Sequence, residues 1–519
     1  MAQCEKYEVI PHGGTSMEAE RVRMKGRLKE QPAPAVLKYI FEPRLKTDME
    51  LLPYLTQVNL AHVVMLSRES IISKQEATAL LDVLMAIDTR GSDLLEPDAE
   101  LEGLYLNYER HVIERLGPRV GGKLHIGRSR NDLGATMSRM RVRDLVLDLL
   151  DRTIGFRLSL LDRAEQEVET IITGYTHLQP AQPITLGHYL VAIEQAVSRD
   201  GDRLFHTFQT VNKSCLGAGA LAGTGFPINR QLTSDLLGFD GLIENTLDAV
   251  ASRDFLLELF SNLAIIAVTL SRLAQDIFVW CSYEFGIIDI PDRLAGTSSM
   301  MPQKKNPIVL ESSKGRLAHV FGGLISALSA MKNTNYSNVV DVNYESFHLL
   351  KDSCYQTEAA LALLGELLEA MEIQKERTVS MASANFSTVT QLADTLVVRG
   401  DYSFREAHHI IATVARVAAE REMTAAQITT EFIDTVAAEE IGRKVGLGED
   451  EVRRALAPAI NVQSRSHRGG PAPEAVARAI KRALERVEED GRLLESIRRG
   501  LQRARASLRS VVREELEQS

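Results

Sequence analysis

Apolar residues recur at helical spacing along most of this 519-residue chain. From Asn131 to about Thr170 they fall at Met140, Leu145, Leu147, Leu149, Ile154, Leu158 and Leu161, with no proline in the stretch, which predicts one long helix. Asp254 to about Tyr283 is apolar around most of its circumference, the pattern of a helix buried inside a bundle. A third long helix is expected from Pro307 past Leu328. Alternating strand patterns with tight-turn dipeptides are scarce, so the expected class is all-α. Helices this apolar imply a central bundle wider than one chain can cover, and therefore an oligomer.

Breaks in the pattern divide the chain into three expected domains: a helical N-terminal domain at 1–127 with a leading arm to about Glu30, a long-helix bundle at 128–380 and a C-terminal helical domain at 381–519. After Ser380 the predicted helices are shorter and more charged, and Asn461 to Pro473 reads as a loop before a final charged helix. Between the buried helix and Pro307, Gly286, Pro291 and Gly296 interrupt roughly two dozen residues, a connection long enough to serve as a lid.

Composition narrows the functional classes. With 45% hydrophobic residues and a net charge of -10, the chain reads as soluble, without global attraction for nucleic acid. The basic stretch from Arg492 to Arg513 carries glutamates at helical spacing and reads as a solvated helix face. Cys4, Cys215, Cys281 and Cys354 lack the spacing of a zinc site or disulfide framework, and suit reduced thiols in cytoplasm. No leader is expected, nor a membrane span, since Phe255 to Cys281 is interrupted by Glu258, Arg272 and Asp276.

Three polar clusters carry candidate chemistry. The first runs from Gly296 to Pro307 and holds Ser298, Ser299, Met301, Lys304, Lys305 and Asn306, with Asn306 and Pro307 expected as a helix N-cap and first turn. Hydroxyls, ammonium groups and a helix dipole together can bind a carboxylate and stabilise further charge on it. A solvated turn accounts for part of this run but not all of it. The second cluster, Gly127 to Asp132, places Ser129, Arg130 and Asn131 at the start of a long helix, where arginine suits a bidentate carboxylate and a plain charged helix start is the alternative. The third, Gly174 to Pro183, crowds Thr176, His177, Gln179 and Gln182 around two prolines in a predicted loop. A lone histidine there is structural or catalytic.

Together these clusters resemble the fumarase and aspartase superfamily. Its signature Gly-Ser-Ser-x-Met-Pro-x-Lys-x-Asn-Pro is matched at Ser298, Ser299, Met301, Pro302, Lys304, Asn306 and Pro307, with Thr297 standing at the signature glycine and Gly296 one place earlier. Lys123-Leu124-His125, Gly127 to Asp132, Tyr175 to Gln179, Ala181 to Thr185, Gly217 to Thr224, Ser252 to Phe255 and Phe404 to His408 are similar to the argininosuccinate lyase branch. The resemblance covers roughly residues 40 to 480 and implies an all-helical, three-domain subunit in a homotetramer, with active sites shared between chains. It implies reversible release of an amine and fumarate from an N-substituted aspartate, with no metal or organic cofactor.

By the same resemblance, Ser298 is the general base, Lys304 and Asn306 polarise the reacting carboxylate, and Arg130, Asn131 and Thr176 orient the fumarate part. His177 pairs with Glu311 and assists proton transfer to the leaving amine. Ser129, Gln179, Ser299 and Met301 complete that half of the site. The amine half departs from the branch. Arg44 and Asp48 stand where it has serine and aspartate, and Asn338, Val340, Asn343, Glu345 and Ser346 replace its tyrosine, basic residue, glutamine, aspartate and lysine. Its Glu-Asp-Ile-His segment reads Glu102-Gly103-Leu104-Tyr105. The expected substrate is therefore an amino-dicarboxylate with a different arm, such as the aminopolycarboxylate ethylenediamine disuccinate. Argininosuccinate, or a catalytically silent crystallin-like role, is the alternative.

Overall fold

Three large hydrophobic cores and a small fourth cluster around Cys215 organise the described residues, and one long helix ties two of the large cores together. The structure is a computed structural model that describes residues 30–400 and 402–517; the expected arm and Cys4 lie outside the described residues. The first core is built by α1 (Leu52–Arg68), α2 (Lys74–Arg90) and α3 (Leu104–Leu116), with Leu55, Leu80, Leu81 and Tyr108 fully buried. The second is the expected bundle: α4 (Arg130–Gln166), α5 (Leu186–Val211), α6 (Asp254–Trp280), α7 (Ile308–Met331) and α8 (Leu350–Ala370). The third joins α9 (Val389–Arg399), α10 (Phe404–Glu420), α11 (Thr430–Ile441) and α12 (Glu449–Leu456). The last helix, α13 (Pro473–Glu517), packs along α4 and α5 and places Leu508 and Val512 in the first core, so it belongs with the first two cores rather than the third.

Local sequence explains the long elements. Ser129 caps α4: its hydroxyl accepts from the Asn131 N–H, and Asp132 returns a carboxylate to the Ser129 N–H at 2.8 Å. With no proline behind that box, the helix runs for 37 residues, about 55 Å at the usual rise. By length and composition α6 could cross a membrane, yet Leu259, Leu263, Leu270 and Ile277 are buried against the neighbouring bundle helices. Part of what α6 and α7 leave outside is also apolar: Ile265 and Val268 on one, Phe321, Ile325 and Leu328 on the other.

Two local expectations change. Residues 171–185 form an antiparallel hairpin rather than a loop, with β1 (Ile171–Thr176) and β2 (Gln179–Thr185) paired from Ile171 opposite Thr185 to Thr176 opposite Gln179 and a register shift between Gly174 and Tyr175. Gly174 permits the close approach, since a Cβ there would lie 2.8 Å from the Gln182 carbonyl oxygen. The connection before α7 is also pinned by short pairings: β3 (Ile288–Asp289) bonds to β6 (Glu372–Ile373), and β4 (Gly296–Thr297) to β5 (Lys305–Asn306). That pairing withdraws Asn306 from the expected capping role. Its side-chain amide donates to the Thr297 carbonyl at 3.2 Å, and Pro307 stands at the N-cap.

A buried ion triad clamps α13 to the bundle. Arg157 on α4, 1% exposed, donates through Nε to Glu194 of α5 at 2.8 Å and through Nη1 to Asp490 of α13 at 2.6 Å. Burial pushes the Glu194 carboxyl up from its ordinary value, against the pull of Arg157. Removing the cation leaves buried Glu194 without its ion-pair partner and Asp490 with only the exposed Arg486 at 3.3 Å, so Arg157→Leu is expected to cost about 3–5 kcal/mol. The loss should appear as a clear fall in the thermal midpoint, whereas a change within error would show that the triad contributes little.

Candidate active site

The capped start of α4 fixes one wall of a cavity. Asp132 is buried, and its second carboxylate oxygen accepts from the backbone N–H groups of Gly217 and Gly219 at 2.8 and 3.0 Å, clamping the 217–223 loop over the helix start. Burial pushes its pKa up to about 6 despite those bonds. Arg130 and Asn131, the first two helical residues, then line a cavity of about 510 Å³. Arg130 is held at 2.9 Å by Glu102, while the Asn131 amide donates to the Ala220 carbonyl at 3.1 Å. The Ser129 hydroxyl is engaged as the cap.

Arg44 and Asp48 form the opposite wall. They sit one turn apart, with Arg44 Nε 3.7 Å from Asp48 Oδ2, and the guanidinium lies 3.7 Å from the ring centroid of Tyr344, whose hydroxyl it also bonds. Gly103 lets these side chains pass, because a Cβ there would stand 3.2 Å from Asp48 Oδ2. Burial raises the Asp48 pKa to about 6, with Arg44 opposing the shift. Asn338 and Asn343 make up the third wall, but their amides bond to each other and to neighbours: Asn338 donates to Asn131 Oδ1 at 2.7 Å, and Asn343 donates to Asn338 and accepts from Arg253 at 2.6 Å.

The signature loop and hairpin lie elsewhere on the subunit. No residue of 171–185 or 296–311 lines the cavity. Ser298 is half-buried, and its hydroxyl oxygen accepts from the Met301 and Met300 N–H groups at 3.0 and 3.4 Å. Lys305 is bound to Asp289 at 2.8 Å and Asp292 at 3.5 Å, whereas Lys304 makes no ion pair among the described residues. Ser299 and Met301 are exposed beside them. At the hairpin tip, His177 and Leu178 have φ of 54° and 57°, left-handed values that cost energy with a Cβ and tend to gather at functional sites. Thr176 and Gln179 face each other across that turn. The expected His177–Glu311 pair is not made within one chain, because the two side chains stand exposed on separate elements, the hairpin tip and the first turn of α7.

One subunit thus brings together Arg44, Asp48, Arg130, Asn131, Asn338 and Asn343, and leaves Ser298, Lys304, Asn306, His177, Thr176, Gln179 and Glu311 outside that cavity. Sequence reading missed Tyr344 and Arg253 as partners. An aromatic inside the 338–346 stretch, and an arginine inside the Ser252 to Phe255 match, were the available signals.

Known proteins share this architecture along nearly the whole chain. A family profile described as a lyase matches residues 44–322, and one described as an argininosuccinate lyase C-terminal region matches 386–463. Argininosuccinate lyase 1 of Shouchella clausii is 40% identical over 93% of this chain and 97% of its own. The argininosuccinate lyase of Methanocaldococcus jannaschii is 39% identical over 89% and 94%. Among solved structures, EDDS lyase in complex with formate superposes with a TM-score of 0.85 at 34% identity, covering 95% of this chain and 97% of that one. A 3-carboxy-cis,cis-muconate lactonizing enzyme from Pseudomonas putida, at 20% identity and a TM-score of 0.64, shares the fold.

Proposed function

The chain belongs to the argininosuccinate lyase branch of the fumarase and aspartase superfamily and is a fumarate-forming carbon–nitrogen lyase, and from that premise we propose that its substrate is an N-substituted aspartate bearing a further carboxylate on the amine, an aminopolycarboxylate such as ethylenediamine disuccinate. The observation that carries this reading is the position of Arg44. Its guanidinium stacks on Tyr344 and approaches Asp48, so the chain's own cation sits beside the carboxylate that a substrate guanidinium would seek. The amine half then presents positive charge to the substrate, and a carboxylate arm is the complement.

In the reaction, a proton leaves the carbon next to the aspartate carboxylate, negative charge builds on that carboxylate, and the C–N bond then breaks to give fumarate and the free amine. Ser298 takes the proton. The two backbone N–H groups aimed at its oxygen favour the alkoxide it needs to be. Lys304 and Asn306 bind the charged carboxylate, Arg130, Asn131 and Thr176 orient the dicarboxylate, and His177 with Glu311 serves the departing amine. Separation of these groups within one chain, and the bare apolar faces of α6 and α7, support a homotetramer in which neighbours complete each site. Free thiols at Cys215, Cys281 and Cys354 suit a cytoplasmic enzyme.

Argininosuccinate is the second reading, favoured by relatives of that name at 40% and 39% identity. Forward assays that follow fumarate absorbance separate the two. Ethylenediamine disuccinate is expected to turn over, and Arg44→Ala to raise its KM roughly tenfold by removing a charged hydrogen bond. Turnover of argininosuccinate alone, with no KM moved by Arg44→Ala, would sink the aminopolycarboxylate reading.

A further inference from the structure

A relay of side-chain amides runs along the lining of the cavity. Arg253, almost wholly buried, donates to Asn343 Oδ1 at 2.6 Å; Asn343 Nδ2 donates to Asn338 Oδ1; Asn338 Nδ2 donates to Asn131 Oδ1 at 2.7 Å; and Asn131 Nδ2 donates to the Ala220 carbonyl at 3.1 Å. Each end of this series is chemically fixed. A guanidinium can only donate and a backbone carbonyl can only accept, so no amide between them can flip without placing two like groups face to face. Arg253 itself cannot turn away, since its Nη1 is held by the carbonyls of Ser252 at 2.6 Å and Val250 at 3.3 Å. At the other end, Ala220 belongs to the loop that Asp132 clamps through Gly217 and Gly219.

Asn131 is the relay member on the first turn of α4, beside Arg130. A free asparagine would present oxygen or nitrogen to the cavity with similar ease, and only the nitrogen attracts a carboxylate. We infer that Asn343 and Asn338, anchored by Arg253, are positioning residues that lock the Asn131 amide with its nitrogen as the donor and so set the affinity of the site for the dicarboxylate half of the substrate. This rests on the assignment of Asn131 to the fumarate half under the proposed function. It also gives Asn338 and Asn343 a different task from direct contact with the amine. Their oxygens, and one N–H of each, are committed to the relay.

Reversing the polarity of the relay without changing its shape tests the inference. Asn343→Asp places an acceptor where Asn338 needs a donor, forcing Asn338 and then Asn131 to turn over. The new carboxylate pairs with Arg253, which keeps the variant folded. In calorimetric titration of the full-length enzyme with fumarate, Asn343→Asp is expected to weaken binding on the order of tenfold, the worth of one hydrogen bond to a charged group. The KM for the amine in the addition direction should stay within twofold or so. Asn338→Ala interrupts the relay without reversing it, so its loss should be smaller than that of Asn343→Asp, whereas a packing role predicts the opposite order. Fumarate binding unchanged in Asn343→Asp, or weakened more by Asn338→Ala, overturns the inference. Asn131→Ala separates the two levels: if it binds fumarate like the wild type, the assignment of Asn131 fails and the relay inference falls with it. If it weakens binding while Asn343→Asp does not, only the relay inference fails.

Discussion

Ser298→Ala is expected to lower kcat between about a hundredfold and ten-thousandfold, the range for removing a positioned general base. The side chain is half-buried outside every hydrophobic core, and its hydroxyl oxygen only receives the N–H groups of Met300 and Met301, so the substitution leaves no hole in any core. Folding and assembly should therefore be untouched. The KM should move far less than kcat, because the proton is removed only on the way to the transition state. Steady-state assays with fumarate absorbance give both quantities, and circular dichroism checks the fold. A variant retaining a tenth or more of wild-type kcat would displace Ser298 from the base role and return attention to His177.

Ile325→Arg is expected to break the proposed homotetramer and take activity with it. Ile325 is 64% exposed, and with Phe321 and Leu328 it forms one face of α7 at offsets of four and seven residues. On neighbouring α6, Ile265 and Val268 extend the apolar surface. A guanidinium on that face is harmless to one solvated chain but would have to be desolvated without a partner between two apolar helices, at a cost of several kcal/mol. Light scattering after size exclusion should show the wild type as a tetramer and the variant as a smaller species. Activity should fall with it by about a hundredfold or more, because the separated groups would no longer meet and their positioning would be lost. Full activity from a monodisperse smaller species would mean that one chain holds a complete site.

The sequence was most legible where periodicity was long. Unbroken apolar spacing from Met140 to Leu161 and from Phe255 to Ile277 left only helices as a solution, and both were found within a few residues of their expected ends. It was least legible where few residues carry the geometry. The hairpin at 171–185 turns on His177 and Leu178, neither of which carries the Asn-Gly signal that usually marks such a turn, and its strands contain Pro180 and Pro183. Asn306 followed by Pro307 matches a capping pattern, yet a two-residue pairing with Gly296 claims the asparagine first. For the site, motif residues were readable one by one, while their grouping was not. Arg44 and Asn338 are far apart in sequence and share one cavity, whereas the signature loop does not reach it within the chain. Which of these residues share a cavity is a property of three-dimensional packing, which spacing along one chain does not encode.

The closing helix gives the chain a particular schedule of folding. Asp490 meets Arg157 across 333 residues of sequence, and Leu508 and Val512 enter a core whose other members begin at Leu45. During synthesis, the first and second cores are therefore nearly complete in composition while one surface of each still lies open. Arg157 and Glu194 wait without their third partner until Asp490, on the 45-residue α13, has left the ribosome. Contacts this distant slow folding and lengthen the time that apolar surface is exposed. The nascent chain therefore keeps two cores open until the second half of this helix has emerged, and a chain cut just before Asp490 lacks Leu494 and Leu501 from one core and Leu508 and Val512 from the other.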